Sequence, residues 1–449
     1  MYSQFGNTEE FSAELIIDGV DLGTFNVRLM HNPYELNSME AELFEMPDLD
    51  IPSLPDSPAF SDYDELDAKL ITESKGFKRT ITLRSDRLPG LSFPFSLSNK
   101  IPVTKYRTEQ IYDSCVDTTC VRVVYRFPLT TAVRDRSMVT QDARYGLYHG
   151  TRKPSERTVD LDKDTFEIDT GLGPAEFVAS YGIHDLESKH TYPGRALIQH
   201  SACVFESGGE STDPQSFVSG ARNEVEKLLN VMSFTEQNRI HWNEERVYEK
   251  SKEGKILREI KTRRWAPTPS EKYRPERSGR RNARKSFLEC WSAYRGLDSR
   301  SQLNIDQAIE NFKRAHCAGV LETQLVFWVS CFDHMLKNLY NCSGGSFSKR
   351  IVKTFDDNDV DFEDLLDPRV ARHFRQDIDD EHNCFWFVDA RNRLIHEGLD
   401  ALQDTPYELI NAIRNAKALA ERLLLDALGI DHNQLFSVNR MRLGAPSTV

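Results

Sequence analysis

Apolar and polar side chains alternate along residues 12–30, where Ala13-Glu14-Leu15-Ile16-Ile17-Asp18-Gly19 turns into Leu22-Gly23-Thr24-Phe25-Asn26-Val27-Arg28-Leu29. A period of two marks half-buried strands, and Asp-Gly between two such runs is a hairpin turn. Similar short runs follow at Ala68–Ile71, Thr80–Arg84, Phe93–Leu97, Cys120–Phe127, Thr165–Ile168 and Glu176–Ala179, and from Ala196–Ile198 on to Cys203–Phe205. Many short strands with few helical signals between them predict an antiparallel barrel or sandwich of roughly 200 residues.

At Pro214 the period changes. Phe217, Val218, Ala221, Val225, Leu228, Leu229, Val231 and Met232 follow helical spacing up to Ser233. After Ser286 the pattern stays helical. Ile305, Ala308, Ile309 and Phe312 mark one helix, and Leu321, Leu325, Trp328, Val329, Phe332, Leu336 and Leu339 mark a longer one ending near Asn341–Gly345. Shorter pieces are expected over Ile351–Phe355 and Phe362–Phe374. A short helix over 385–398 stops at Gly398, and the last one opens on the capping sequence Thr405-Pro406-Tyr407-Glu408 and runs to Gly429. The expected class is α+β and multidomain: a β-rich N-terminal sensor or regulatory domain over 1–235, a charged, basic linker over 236–285, and an all-α bundle over 286–449.

Charge changes the picture in two places. His31–Ala68 contains no Lys or Arg but many acids, with Pro52, Pro55 and Pro58 among them. It reads as a solvated mobile loop in preference to an acidic decoy or a protein-docking segment. Residues 261–285 are the reverse: Lys261, Arg263, Arg264, Arg280, Arg281 and further basic residues face only Glu271 and Glu276, with Trp265 and Tyr273 interleaved. Arg263, Arg264, Trp265, Arg280 and Arg281 are the candidate RNA contacts, cations for phosphates and an aromatic for stacking; the competing reading is an arginine-rich interdomain linker. The net charge of −13 argues against indiscriminate coating of nucleic acid, so any RNA contact must be local.

The N-terminus has no basic region followed by an apolar one, and no apolar run approaches membrane-spanning length, so a cytoplasmic protein without membrane contact is expected. Eight scattered cysteines fit reduced thiols. Cys115-x4-Cys120 with His200-x2-Cys203 is too loosely spaced to favour zinc over buried or strand-end thiols. No metal and no cofactor are expected.

The chemistry concentrates on the helix at 385–398. Asp389, Asn392 and His396 lie three and four residues apart, on one face. Phe387, Ala390 and Leu394, with Val388 and Ile395 further round, form the expected buried stripe. Arg391 stands roughly 140° from His396 around an ideal helix. Either its long side chain wraps round, the helix distorts, or the two meet through a second protomer.

Arg391-Asn392-x-x-x-His396 resembles the R-N-x-x-x-H motif of HEPN ribonucleases, helical RNA-cleaving domains in which two motifs face each other across a dimer. The order of helices around it is similar to that of HEPN domains, and a β-rich region ahead of it is similar in layout to ApeA-type antiphage proteins. The resemblance implies a HEPN-like bundle and a metal-independent endoribonuclease with catalytic Arg391, Asn392 and His396. It further implies an RNA substrate, a homodimer or higher homo-oligomer, a role as an antiphage, abortive-infection effector or toxin, and a phage-derived or other trigger sensed by the N-terminal domain. Asp333 on the preceding long helix and Asp389 are candidate supports for the site, Asp333 being equally readable as a surface charge. The contrasting reading is a non-catalytic HEPN-type module that binds RNA, nucleotide or a protein. In that case Arg391 pairs with Asp389 or Glu397, and His396 closes a helix whose C-terminus favours cations.

Overall fold

A computed structural model describes residues 7–17, 19–31, 39–44, 68–74, 76–83, 100–114, 118–128, 130, 132–133, 165–182, 198–207, 213–236, 239–264, 283–318, 320–357, 386–397 and 406–430. The chain divides into two compact units: Met1–Leu129, Gly150–Val225 and Trp242–Ser270 make the first, and Thr130–His149, Glu226–His241 and Glu271–Val449 the second.

The first unit is built on antiparallel strands β1 (Asn7–Ile17), β2 (Val20–His31), β3 (Met39–Phe44), β4 (Ala68–Ser74), β5 (Phe77–Leu83), β6 (Lys100–Ile111), β7 (Cys120–Pro128), β8 (Thr165–Thr170), β9 (Gly173–Gly182), β10 (Ile198–Glu206), β11 (Glu244–Lys250) and β12 (Ile256–Arg264). Their order is β3-β2-β1-β4-β5-β6-β12-β11-β7-β10-β9-β8, with β3 also pairing β6. That extra pairing, through Glu40 with Pro102 and Glu42 with Lys100, returns the first six strands on themselves as a closed barrel. Its interior is the inward half of the alternation: Ala13, Leu15, Phe25, Val27, Leu29, Leu70, Ile81 and Val103 are all buried. Gly19 turns the expected β1–β2 hairpin at φ 82°, a conformation costly for any residue with a Cβ.

β6 serves two structures. It pairs with β5 from Val103 to Gln110 and, along its other edge, with β12 from Lys105 to Ile111, where the sheet leaves the barrel. One face of this extension buries Val121, Val123, Tyr125, Phe127, Phe177 and Phe205. The helix α1 (Pro214–Glu236) divides between the units after Val225. In its first half Arg222 holds Glu245 of β11 with two nitrogens, at 2.7 and 3.0 Å, and Glu224 accepts the Gly171 N–H at 2.9 Å.

Two expectations are corrected here. Within the acidic 31–68 interval, residues 39–44 are not loop but strand β3, whose Glu42 is held by Arg28 of β2 at 3.1 Å. Residues 244–264 are not linker but the hairpin β11–β12 in the middle of the sheet. In both segments the charges are neutralised across strands, which a count along one strand does not register. The strand expected at 93–97 and the helix expected at 362–374 lie outside the described residues.

The second unit is helical: α2 (Ala283–Arg295), α3 (Ser299–Cys317), α4 (Leu321–Asn338), α5 (Phe347–Asp357), α6 (Trp386–Glu397) and α7 (Pro406–Ala427), joined by the end of α1. α2 starts inside the expected linker, and its Arg284 donates to the carbonyls of Ala132 and Val133 at 3.0 and 2.8 Å. α4 is the central helix, packing against α3, α5, α6 and α7. Trp328 of α4 meets Phe312 of α3 edge to face at 4.8 Å, and Phe312 meets Phe234 of α1 at 5.4 Å. Along α7, Ala412, Ala416, Leu419, Ala420, Leu423 and Leu424 are fully buried at helical spacing, each leucine contributing on the order of 2 kcal/mol.

The helix ends follow from local chemistry. Asp298 caps α3, accepting the Arg300 and Ser301 N–H groups at 2.9 and 3.1 Å. Gly429 at φ 69° ends α7 in a Schellman turn, with its N–H on the Asp426 carbonyl and that of Ile430 on the Leu425 carbonyl.

Candidate functional site

The candidate site lies on α6, which packs against α4 and α7. Val388, Ala390 and Leu394 are buried and seat the helix. Arg391, Asn392 and Arg393 are half-buried, whereas His396 is exposed in the last turn. Ile395, expected in the buried stripe, is instead 49% exposed beside His396. The stripe turns away one residue earlier than the sequence suggests, leaving an apolar side chain next to the imidazole on the open face.

Arg391 donates from Nη1 to Oδ1 of Asn392 at 2.9 Å. This bond draws the guanidinium toward the face that Asn392 shares with His396, which lie one helical turn apart. The helix runs without a break through this stretch, and Arg391 meets its neighbour Asn392 on it. The arrangement offers a planar cation, an amide whose Oδ1 is oriented by that cation, and an imidazole open to solvent. Such a set suits an anionic substrate with a transferable proton.

Asp333 is engaged. Lys337, one turn on along α4, reaches it at 2.6 Å, and Arg350 of α5 at 2.7 Å. Arg350 is 8% exposed and also lies over the Phe347 ring at 5.4 Å, so this carboxylate anchors α5 to α4. The side chains of Asp389 and Glu397, and the whole of Trp265, Arg280 and Arg281, lie outside the described residues.

Arg263 and Arg264 are consecutive on β12 and so point to opposite faces of the sheet. Arg263 binds Glu244 at 2.7 Å, while Arg264 lies 3.8 Å over the Trp242 ring. They do not form one basic surface.

Sequence reasoning missed two clusters. Asp306 of α3 receives the Tyr294 hydroxyl at 2.8 Å and the Asn230 amide at 3.1 Å, and Lys313 donates to Asn230 at 2.8 Å. Burial pushes the Asp306 carboxyl above its usual range, against the pull of these donors. The second cluster surrounds Glu244, where four cations from three strands meet one carboxylate. Its sequence signal was the charge alternation on β11 and β12.

Among the described residues no group of His, Cys, Asp and Glu is placed to hold a metal ion. Cys203 faces Tyr125, five residues along β7 from Cys120 and hence about 16 Å away. The thiol of Cys203 is fully buried, which raises it well above its usual range. Among the described residues no helix is long and apolar enough to cross a membrane. No protein-family model, no curated protein and no solved structure matches the chain.

Proposed function

We propose that the chain is a metal-independent endoribonuclease whose helical unit is a HEPN-like bundle and whose chemistry resides on α6. The observation that carries this reading is the Arg391–Asn392 hydrogen bond at 2.9 Å, on a helix that leaves His396 exposed one turn away. In the proposed reaction an RNA 2′-oxygen attacks the adjacent phosphorus, its proton passing to a base, and the 5′-oxygen leaves as it is protonated. The products are a 2′,3′-cyclic phosphate and a 5′-hydroxyl. His396 moves the proton, because an imidazole nitrogen can serve as acceptor or donor. Arg391 sets its cationic fork against the charge that grows on the phosphorane oxygens, and Asn392 holds that fork in place.

One imidazole serves poorly as base and acid in the same step, so a second copy of α6 is proposed to complete the site. The exposed Ile395 beside His396 supports such a face-to-face pairing. By its layout the β unit acts as sensor or restraint, and the intact protein is an antiphage effector or toxin awaiting a trigger. The reading is tested by incubating the protein and its His396→Ala variant with single-stranded and transfer RNA in EDTA. Wild-type cleavage leaving cyclic phosphate, absent in the variant, is the expected result. Cleavage that persists in the variant removes His396 from the chemistry. RNA binding without cleavage by wild type favours a binding module.

A further inference from the structure

Glu244 sits on the sheet with 8% of its side chain exposed, and four cations converge on it. Arg246 reaches Oε1 at 2.6 Å and Arg126 at 3.1 Å, while Arg263 reaches Oε2 at 2.7 Å and Lys261 lies 3.8 Å away. Register explains the convergence: Arg126, Glu244 and Arg263 are direct cross-strand neighbours on β7, β11 and β12, and Arg246 opposes Lys261 on the next rung of the same face. The cations stay in contact with water, their side chains being 23–38% exposed. The following rung adds Arg122 with Glu259 and Glu206, and the next adds Lys250, which holds Glu206 at 3.2 Å, so two cations and two acids leave the balance unchanged.

Among the described residues, four positive charges against one negative leave a surplus of three within a single patch. Such crowding is self-repelling in a partly buried setting, and an arriving polyanion relieves it. Burial and the neighbouring arginines lower the Lys261 ammonium to about 8 despite Glu244, and burial similarly lowers Arg126, whereas Glu244 and Tyr248 raise Arg246 against its burial. Tyr106 stands opposite Arg263 on β6, and Tyr248 lies two residues from Arg246 on the same face, so aromatic rings border the patch.

We infer that this patch is a polyphosphate-binding site in which Arg126, Arg246, Lys261 and Arg263, oriented by Glu244, take the triphosphate chain of a nucleotide or of free polyphosphate. The triphosphate's three to four negative charges match the surplus, and planar guanidinium groups match phosphate oxygens in geometry. The site is in the β unit and does not depend on nuclease chemistry at α6.

Isothermal titration of the full chain at low salt, with sodium tripolyphosphate and separately with ATP, tests it. Wild type is expected to bind at micromolar concentration. Lys261→Gln should weaken binding roughly tenfold, one charge-assisted contact, while Glu244→Gln should tighten it by enlarging the surplus. Opposite effects of two substitutions in one cluster are not produced by simple unfolding. His396→Ala should bind as wild type does, which separates this site from the proposed nuclease centre. Equal affinity for both ligands identifies the phosphate chain alone as the ligand, and tighter ATP binding adds the base; either supports the site. No heat with either ligand up to millimolar concentration overturns it, as does a Lys261→Gln variant that binds like wild type.

Discussion

The Arg391 guanidinium donates to Oδ1 of Asn392 at 2.9 Å, so two consecutive side chains on α6 act as one polar unit. Consecutive helical residues point about 100° apart, and only a side chain as long as arginine bridges that angle. The Asn392 oxygen thereby fixes where the cation rests, one turn from an exposed imidazole.

This unit predicts a separation of activity from stability. His396→Ala should lower the rate of RNA cleavage by at least ~100-fold, the scale of one general acid or base, and leave thermal unfolding within about 0.5 kcal/mol, because His396 is exposed. Arg391→Lys should cost nearly as much activity, since an ammonium lacks the planar fork. Single-turnover cleavage beside thermal melts checks both.

Asp333 is expected to act through folding. Arg350 is 8% exposed and meets Asp333 at 2.7 Å, so Arg350→Ala should destabilise the protein by about 3 kcal/mol, leaving the carboxylate only Lys337. Arg350→Met, which refills the volume and deletes the charge, should cost less. Urea unfolding measures the difference, and an Asp333→Asn variant that loses cleavage while keeping its unfolding midpoint would move Asp333 into the active site.

The Glu244 cluster predicts a particular pH dependence. Burial alone would raise this carboxyl, but Lys261, Arg263, Arg246 and Arg126 together hold it at about 2, below the ordinary 4.5. Its folded value lies below the unfolded one, so its contribution is complete above about pH 4.5 and is lost as pH falls toward 2. The shift corresponds to on the order of 3 kcal/mol, offset in part by Lys261, whose charge burial disfavours. The stability gap between wild type and Glu244→Gln should therefore be constant from pH 7 to 5 and narrow below 4.5. Lys261 has the opposite sign: with its folded value at about 8 against 10.5, its destabilising contribution is full below pH 8 and relieved as pH rises toward 10.5. Denaturant midpoints of Lys261→Met against wild type from pH 7 to 10 report it.

Tyr294→Phe removes the hydroxyl that Asp306 receives at 2.8 Å and leaves a buried carboxylate one donor short. A loss of about 2 kcal/mol is expected at pH 7. Because burial raises this carboxyl above its usual range in the fold, the loss should shrink as pH falls toward 4 and the group takes up a proton. Thermal melts of both proteins across that range test the sign.

The helices were the most legible part of the chain. α3, α4 and α7 carry apolar residues every three or four positions, and α7 stops at Gly429 as its sequence suggests, because one helix needs only one dry stripe to declare itself. The β1–β2 hairpin was equally open to reading, its turn set by Asp18-Gly19 and its alternation by the barrel interior. The spacing of Arg391, Asn392 and His396 could also be read directly, since helical geometry follows from residue number.

β3, β6, β11 and β12 were hidden in charge. The sequence of β11, Glu244 to Lys250, has acids and bases where a half-buried strand should show a polar face against an apolar one. Their compensation comes from far along the chain: Arg258 reaches Glu109 across 149 residues at 2.6 Å, and Arg126 reaches Glu244 across 118 at 3.1 Å. By itself, then, the sequence determined the helical periods, the stop at Gly429, the first hairpin and the residue types on α6. Tertiary structure alone decided that β3 closes a barrel on β6, that the charged interval becomes two central strands, and that Asp333 is spent on Arg350. The physical reason is one of range. Helices and turns are fixed by neighbours within a few residues, whereas the place of a charge depends on which distant charge the fold brings to it.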